Sequence, residues 1–384
     1  MTIMGKKELI KATKKRYAQA SKLERGKILD EFCLNTKYHR NYASTILQPS
    51  YDNNKVANTG RKSRKKKYGP DIMIVIIKIW ELLDYPCGTR LKPMLLPMAE
   101  ALVRSNELKI NNKLKKQLKS IGTKTLDRRL EKKRIELKLH KNRGTTRHGS
   151  LLKTAIPIRI TNWDTSKIGF MEMDTVAHSG GDPSGEFVYS LDMVEIYSGW
   201  SEQRAILGKG EKGVIMAIDD VKNIVPFSIP GLDSDGGSEF INWHLVRYCE
   251  KHDIFFTRSR PYMKNDNAYV EQKNYTHIRK WLGYGRYDTA KQVEMMNDLY
   301  KNELNLFNNF FRPVMKIQSK EKVNNSVCKK KYDTAKTPYQ RLIESDQITQ
   351  ETRQKLKKLY LSLNPVQLKK ATDEKIKNIK KTTK

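Results

Sequence analysis

Apolar positions in the first part of the chain recur with helical spacing. One such run lies between residues 23 and 32. Ser21 and Glu24, at its start, have the form of a capping box. A short basic helix is expected at residues 39–47, after a break at residues 35–36. Two short helices joined by a tight turn are compatible with a helix-turn-helix, although any small helical bundle would give a similar pattern.

A second helical region follows a basic stretch. Residues 61–67 (RKSRKKK) are expected to be a basic linker. Helices with one apolar face are expected at residues 71–84 and 91–105, and a third at 124–137 with Thr123 as its cap. This third helix is a second candidate for DNA recognition. Its outward-facing basic residues are Arg128, Arg129, Lys132 and Lys133.

From about residue 158 the pattern changes to the shorter period of strands. Strands are expected at residues 168–176, 187–196, 200–207, 229–232 and 254–259. Helices are expected at residues 211–224, 239–252, 267–282 and 289–311. Three strands followed by alternating helices and strands form a mixed sheet flanked by helices, which is an α/β architecture.

These patterns divide the chain into six regions. They are a helix-turn-helix-like region at 1–50, a basic linker at 51–70, a second helical region at 71–140, a linker at 141–159, an α/β core at 160–311 and a basic C-terminal extension at 312–384. The last residues, 369–384, are lysine-rich and are expected to be disordered.

Charge strengthens the case for a polyanionic partner. The 384 residues have a formal net charge of +33, while a hydrophobic content of 38% excludes a disordered polycation. Residues 1–150 contain 37 Lys and Arg against 13 Asp and Glu, residues 151–300 contain 17 against 21, and residues 301–384 contain 21 against 8. Two basic arms around an acid-rich centre suit an enzyme that grips DNA phosphates and binds cations. On charge alone, a basic ribosomal or chaperone-like protein is the alternative.

Cysteines and apolar runs bear on the location of the protein. The four cysteines are far apart and form no C-x-x-C pair, which disfavours a zinc site or a disulfide framework and fits a reducing cytoplasm. The apolar run at residues 72–80 is short and contains Lys78, so no membrane span is expected. The N-terminus has no apolar segment of the signal-peptide type.

Three acids are the candidates for chemistry. Asp174 lies in the middle of a buried-looking strand, where a carboxylate is costly unless it binds something such as a metal ion. Asp235 ends the fourth strand in a glycine-rich turn, with Asp233 as a competing candidate two residues earlier. Glu271 lies at the edge of an apolar helix stripe that should pack on the sheet, formed by Val270, Asn274, His277, Ile278 and Trp281.

Three acids from two strands and a helix can hold two divalent ions about 4 Å apart. Such ions activate the attacking oxygen, stabilise the leaving oxygen and screen the phosphate charge in phosphoryl transfer. Each acid alone is more simply explained as a surface or capping carboxylate. Their combination in this order of elements favours a metal site.

These segments resemble the retroviral-integrase-like transposases, the acidic-triad recombinases with a ribonuclease-H-like core. Thirty-five residues separate Asp235 from Glu271, the interval typical of that family. The turn Asp235-Gly236-Gly237-Ser238-Glu239-Phe240 resembles the second-acid motif, with Gly236 where asparagine is usual, and it selects Asp235 over Asp233. Residues 266–271 (DNAYVE) resemble the third-acid motif. The resemblance covers residues 160–310 well, whereas the flanks resemble bacterial insertion-sequence transposases only loosely.

The resemblance implies a function and its partners. Asp174, Asp235 and Glu271 would be the catalytic and metal-binding residues, with two Mg²⁺ or Mn²⁺ ions as cofactors. The reaction would be cleavage at the 3′ ends of a mobile element, followed by strand transfer into target DNA. Partners would be element ends, target DNA and further copies of the chain, in the cytoplasm and associated with the bacterial nucleoid. The alternatives are a ribonuclease-H-like nuclease without joining activity and a catalytically silent DNA-binding repressor.

Further basic residues are candidates for DNA contact. Arg258 and Arg260 lead into the loop before the helix of Glu271, where they could meet phosphates near the scissile bond. Lys273 and Lys280 are expected on a helix face opposite the packed stripe, in contact with either DNA or solvent. The remaining candidates are Lys264 in the same loop and Arg40 in the first helical region. His178 is expected to have a structural or substrate-positioning role.

Overall fold

The structure is a computed structural model, and it describes residues 3–51, 68–137, 164–235, 237, 239–259, 268–322 and 328–383. These residues belong to two compact units, Met1–Lys67 and Tyr68–Lys384. The predicted linkers at 51–70 and 141–159 lie almost wholly outside the described residues.

The first unit is helical, as predicted. Its helices are α1 (Ile3–Gln19), α2 (Lys22–Thr36) and α3 (Arg40–Ile46). Ser21 and Glu24 form the expected capping box at the start of α2. Helix α2 is followed by Lys37, whose φ of 55° places it in the left-handed region and turns the chain towards α3. The core of the unit consists of Tyr17, Ile28, Leu29, Phe32, Ala43, Ile46 and Leu47.

Four helices open the second unit. They are α4 (Pro70–Leu82), α5 (Gly88–Arg104), α6 (Asn112–Ser120) and α7 (Thr123–Glu136). Helix α6 was not predicted, because it is largely polar and buries only Leu118. Apolar residues of α4–α7 belong to the same core cluster as residues of the helices that follow the sheet. The region predicted at 71–140 therefore shares a core with the rest of the second unit.

The centre of the second unit is a five-stranded mixed sheet. Its strands are β1 (Phe170–Ala177), β2 (Val188–Glu195), β3 (Ser201–Leu207), β4 (Gly231–Ser234) and β5 (Phe255–Arg258), in the order β3-β2-β1-β4-β5. The first three strands pair antiparallel, β4 runs parallel to β1, and β5 runs parallel to β4. This is the predicted ribonuclease-H-like α/β core, with each strand within two residues of its predicted bounds.

Helices cover the sheet and complete the core. They are α8 (Glu211–Ile224), α9 (Trp243–Lys251), α10 (Ala268–Lys273), α11 (Lys280–Leu282), α12 (Ala290–Leu299) and α13 (Asn305–Phe310). Met171 and Met173 of β1 pack in the apolar cluster with α8 and α9. Glu172 and Asp174 alternate to the other side of β1, where Glu172 meets the start of α10. The two acidic side chains of β1 therefore lie on the side of the sheet where α10 packs.

The C-terminal extension is folded. It contains a hairpin of β6 (Ile317–Lys322) and β7 (Cys328–Tyr332), then α14 (Pro338–Glu344), α15 (Gln350–Ser362) and α16 (Pro365–Lys381). The predicted disordered tail at 369–384 is wrong up to Lys381, because α16 buries Val366, Ile376 and Ile379 between its lysines. No helix in the described ranges has the length and apolar character needed to cross a membrane.

Candidate active site

Asp174 and Asp235 lie side by side at the centre of the sheet. The last paired position between β1 and β4 is Met173 opposite Ser234, and each acid comes one residue later. On its other side, Asp174 is directly opposite Asp192 of β2. Three acidic residues therefore follow one another across three neighbouring strands.

The charge of Asp235 opposes the ionisation of Asp174. Burial, and after it the charge of Asp235, raises the pKa of Asp174 to about 7. Two such carboxylates can both be charged at neutral pH when a cation screens them, and carboxylate oxygens suit Mg²⁺ and Mn²⁺. Asp174 and Asp235 therefore fit as a pair of ligands for a divalent metal ion.

The turn after β4 distinguishes Asp235 from Asp233. Gly237 donates its N–H to Asp235 Oδ1 at 3.0 Å, and a Cβ added to Gly237 would lie only 2.9 Å from that oxygen. Asp233 is fully buried, and its Oδ1 accepts a hydrogen bond from Thr257 Oγ1 at 2.5 Å. Asp233 is thus part of the interior, whereas Asp235 is partly exposed at the end of the strand.

Glu271 lies on α10, whose buried neighbour Val270 packs inward as predicted. The side chain of Glu271 is exposed. Among the described residues, no three histidine, cysteine or carboxylate side chains are close enough together to hold a metal ion. The structure therefore brings two of the three predicted acids together, and Glu271 is not grouped with them.

Asn274 connects the helix of Glu271 to Asp174. Its side-chain Nδ2 donates to Asp174 Oδ2 at 2.6 Å, while Asp174 Oδ1 accepts the N–H of Thr175 at 2.7 Å. Asn274 is also the first residue of a π-helical turn, Asn274–Arg279, an irregularity that often occurs at functional sites. Asn274 was expected in the packed stripe, and its contact with Asp174 was not predicted.

Two buried titratable side chains, Asp192 and Lys273, lie close to the two central acids. Asp192 is fully buried and accepts a hydrogen bond from Gln203 Nε2 at 2.8 Å, and burial raises its pKa to about 7. Lys273 is also buried; burial, and after it the charge of Arg312, lowers its pKa to about 7, while Asp192 acts in the opposite direction. A buried lysine cannot lie on a DNA-facing surface, so the predicted placement of Lys273 is wrong. Lys273 follows Val270 by three residues, and such residues share one side of a helix.

The other basic candidates near the site have mixed outcomes. Arg258 ends β5, within the predicted strand, but it is only 6% exposed, which disfavours the predicted contact with a DNA phosphate. Lys280 forms an ion pair with Asp84 at the end of α4. Arg260 and Lys264 lie outside the described residues.

The basic residues of the helical regions are at the surface. Arg128, Arg129 and Lys132 are exposed on α7, and Lys133 lies 3.8 Å from Glu81 of α4. Arg40, in the first unit, is exposed and forms an ion pair with Asp30. These positions are compatible with the predicted contacts to phosphates.

His178 is enclosed in the core rather than presented to a substrate. It is fully buried, its Nε2 lies 2.8 Å from Ser190 Oγ, and its ring packs edge-on against Tyr287. Burial lowers its pKa to about 3. A neutral, enclosed imidazole supports the structural role, and substrate positioning is excluded by the lack of exposure.

Comparison with known sequences gives one long match. No family model matches the chain. A protein of Sinorhizobium fredii (strain NBRC 101917 / NGR234) called "Uncharacterized protein y4rM" is 32% identical over 324 residues, which are 84% of this chain and 91% of the relative.

Comparison with solved structures gives distant matches to retroviral integrases. The catalytic core of BIV integrase has 18% identity and a TM-score of 0.29, over 45% of this chain and 91% of the core. The catalytic core of HTLV-2 integrase in complex with magnesium has 13% identity and a TM-score of 0.28, over 38% and 88%. A simian T-cell lymphotropic virus intasome chain has 14% identity and a TM-score of 0.31, over 56% and 69%. Likeness at this level establishes neither fold nor activity, so the fold assignment rests on the strand order.

Proposed function

Since this chain belongs to one family with the Sinorhizobium protein y4rM, whose name states no activity, we propose a function from the site itself. The protein is a transposase that cleaves the 3′ ends of a mobile element and transfers them to target DNA. The observation that carries the proposal is the position of Asp174 and Asp235 side by side, each one residue after the last paired position of β1 and β4. The type of reaction, cleavage and strand transfer, is proposed from the motif resemblance around Asp235 and Glu271.

The proposed site uses the acids of the strands as metal ligands. Asp174 and Asp235 would hold Mg²⁺ or Mn²⁺, with Glu271 as the third ligand once DNA and metal are bound. When bound, two such ions activate the attacking oxygen and stabilise the leaving oxygen. Asn274 orients Asp174 through its hydrogen bond and stabilises the ionised form of that carboxyl group.

The proposed DNA contacts lie on the helical regions. Exposed Arg128, Arg129 and Lys132 on α7, and Arg40 in the first unit, would bind phosphates. Joining two element ends in concert requires more than one subunit, so we propose a homo-oligomer on DNA, in a bacterial cytoplasm.

A cleavage assay with paired variants tests the function. Purified protein is incubated with element-end DNA and Mg²⁺ or Mn²⁺, and nicking is measured for the wild type, Asp235→Asn and Asp233→Asn. We expect Asp235→Asn to bind DNA normally and to lose at least about a hundredfold in cleavage rate, because a metal ligand is gone. Asp233→Asn replaces a carboxyl group of the same type two residues away and is expected to lose much less activity per folded molecule. Equal losses of activity in the two variants would contradict the assignment of Asp235.

A further inference from the structure

A buried carboxyl group of the sheet caps the start of α10. Glu172 Oε2 accepts the backbone N–H of Tyr269 at 2.9 Å and that of Val270 at 3.2 Å. Glu172 is 1% exposed and precedes Asp174 by two residues on β1, so the two acids share one side of the strand. The contact joins residues that are almost a hundred positions apart in the sequence.

This cap does more than satisfy the first turn of the helix. N–H groups of a first turn have no partner within their helix, and the helix dipole favours a negative group there. In α9 this is done locally, since Asn242 accepts the N–H of Leu245 three residues later at 2.8 Å. A local cap prevents fraying but cannot fix where the helix lies. A cap supplied by a strand also fixes the position of the helix on the sheet.

Glu172 and Asp174 together hold α10 at two points. Glu172 holds the N–H of Val270, and Asp174 holds the side chain of Asn274. Four residues of helix rise about 6 Å, and two residues of strand advance about 6.6 Å. The spacing of the two attachment points is therefore nearly the same along the helix and along the strand. Glu271 lies between the two attachment points in the sequence.

We propose that Glu172 is a positioning residue, which fixes the start of α10 on β1 and thereby places Glu271 relative to Asp174 and Asp235. The part that concerns Glu271 as a metal ligand rests on the proposed function, whereas the cap itself does not. Glu172 is not assigned contact with metal or DNA. Its effect on the reaction passes through α10.

Two substitutions at Glu172 and a matched control test the proposal. Glu172→Met has a similar size but no oxygen to accept a hydrogen bond, only a weakly accepting sulfur, and Glu172→Gln keeps one acceptor oxygen. The control is Glu195→Met. Glu195 is a fully buried carboxyl of β2 that accepts the backbone N–H groups of Tyr197 at 2.7 Å and Ser198 at 2.6 Å.

The hydrogen-exchange rates of the Tyr269 and Val270 amides measure whether their hydrogen bonds to Glu172 are intact, and this measurement does not depend on activity. In Glu172→Met we expect exchange at least about tenfold faster, in Glu172→Gln an increase of about two- to fivefold, and in Glu195→Met no change at these amides. Exchange at wild-type rates in Glu172→Met overturns the proposal. If Glu172→Met does not fold, Glu172→Gln is decisive, and an unchanged rate in that variant overturns it.

Kinetics then test the link to Glu271. We expect Glu172→Met to lower kcat for metal-dependent cleavage by at least about tenfold and to raise the Mg²⁺ concentration for half-maximal activity, with DNA affinity unchanged. Glu172→Gln should recover part of the loss, and Glu195→Met should change neither kinetic quantity. Faster exchange with unaltered kcat and metal requirement overturns the positioning role. If exchange responds but the wild type has no activity on DNA, the proposed function fails and the cap stands.

Discussion

Asn274 donates a hydrogen bond to Asp174 at 2.6 Å, and this bond joins the helix that contains Glu271 to the strand at the centre of the sheet. The bond also favours the ionised form of Asp174, against burial and the charge of Asp235. The position of the helix and the protonation of the strand acid are therefore linked through one side chain.

Asn274→Ala is expected to move the pH dependence of cleavage to higher pH. A metal ligand must be deprotonated, and loss of this donor raises the pKa of Asp174 above about 7. The rising limb of the pH–rate profile should shift upward by about half a unit to one unit.

Asn297→Ala is the matched control for this shift. Asn297 also uses its side-chain amide to bridge elements, since its Oδ1 and Nδ2 bond to the backbone of Ala205 at 2.8 Å. It contacts none of the three acids in the described hydrogen bonds. An identical shift in both variants would show that the effect is general loosening of the fold.

Asp174→Asn is expected to stabilise the metal-free protein at high pH. The folded-state pKa of about 7 lies above the ordinary value of 3.8, so folding favours the protonated carboxyl. Ionisation of the buried Asp174 carboxyl group destabilises the folded protein. This destabilisation is absent below about pH 4, grows between pH 4 and pH 7, and is complete above pH 7. Thermal unfolding in chelator should therefore show a gain of about 1–3 kcal/mol at pH 8 and none at pH 4. A loss of stability at pH 8 would contradict the electrostatic account of the site.

The sequence was sufficient for the sheet because strand patterning there is strong. Apolar residues recur through β1 and β2, and the turn at Asp235 follows directly from β4. Helix α6 and helix α16 were missed for the opposite reason. Both are rich in lysine, and their few apolar residues give no clear helical pattern in the sequence. These residues are buried only because another element packs on them.

The acids of the candidate site could be predicted from the sequence, but the side chains that hold the acids and α10 in place could not. Asp174 and Asp235 stand in recognisable motifs. Glu172 caps α10 from nearly a hundred residues away, and no local pattern reports such a contact. Lys273 was assigned to the helix face opposite the packed stripe, whereas it is buried in the same interior as Asp192.

DNA binding is expected to depend on α7 more than on other basic surfaces. The double variant Arg128→Ala, Lys132→Ala removes two exposed charges from the candidate recognition helix. In a plot of log affinity against log salt concentration, the slope should become shallower by about 2, because about two fewer counterions are released.

The double variant Lys357→Ala, Lys358→Ala is the control for this experiment. It removes the same charge from exposed positions on α15, outside the predicted DNA-binding helices. Its salt slope should stay within error of the wild type. Equal changes in the two double variants would show that net charge alone, rather than α7, governs the binding.

A strand-joining assay tests the central claim most directly. Protein is supplied with pre-cleaved element ends that have a free 3′-hydroxyl, with Mg²⁺ or Mn²⁺ and with a target plasmid. The same site can direct either water or a 3′-hydroxyl to a phosphate, since both attack in line. We predict covalent joints between donor and target DNA that disappear with chelator and in Asp174→Asn, Asp235→Asn and Glu271→Gln. Hydrolysis of DNA without joints, across several end sequences, would favour a nuclease, and joints that persist in Glu271→Gln would contradict the proposed site.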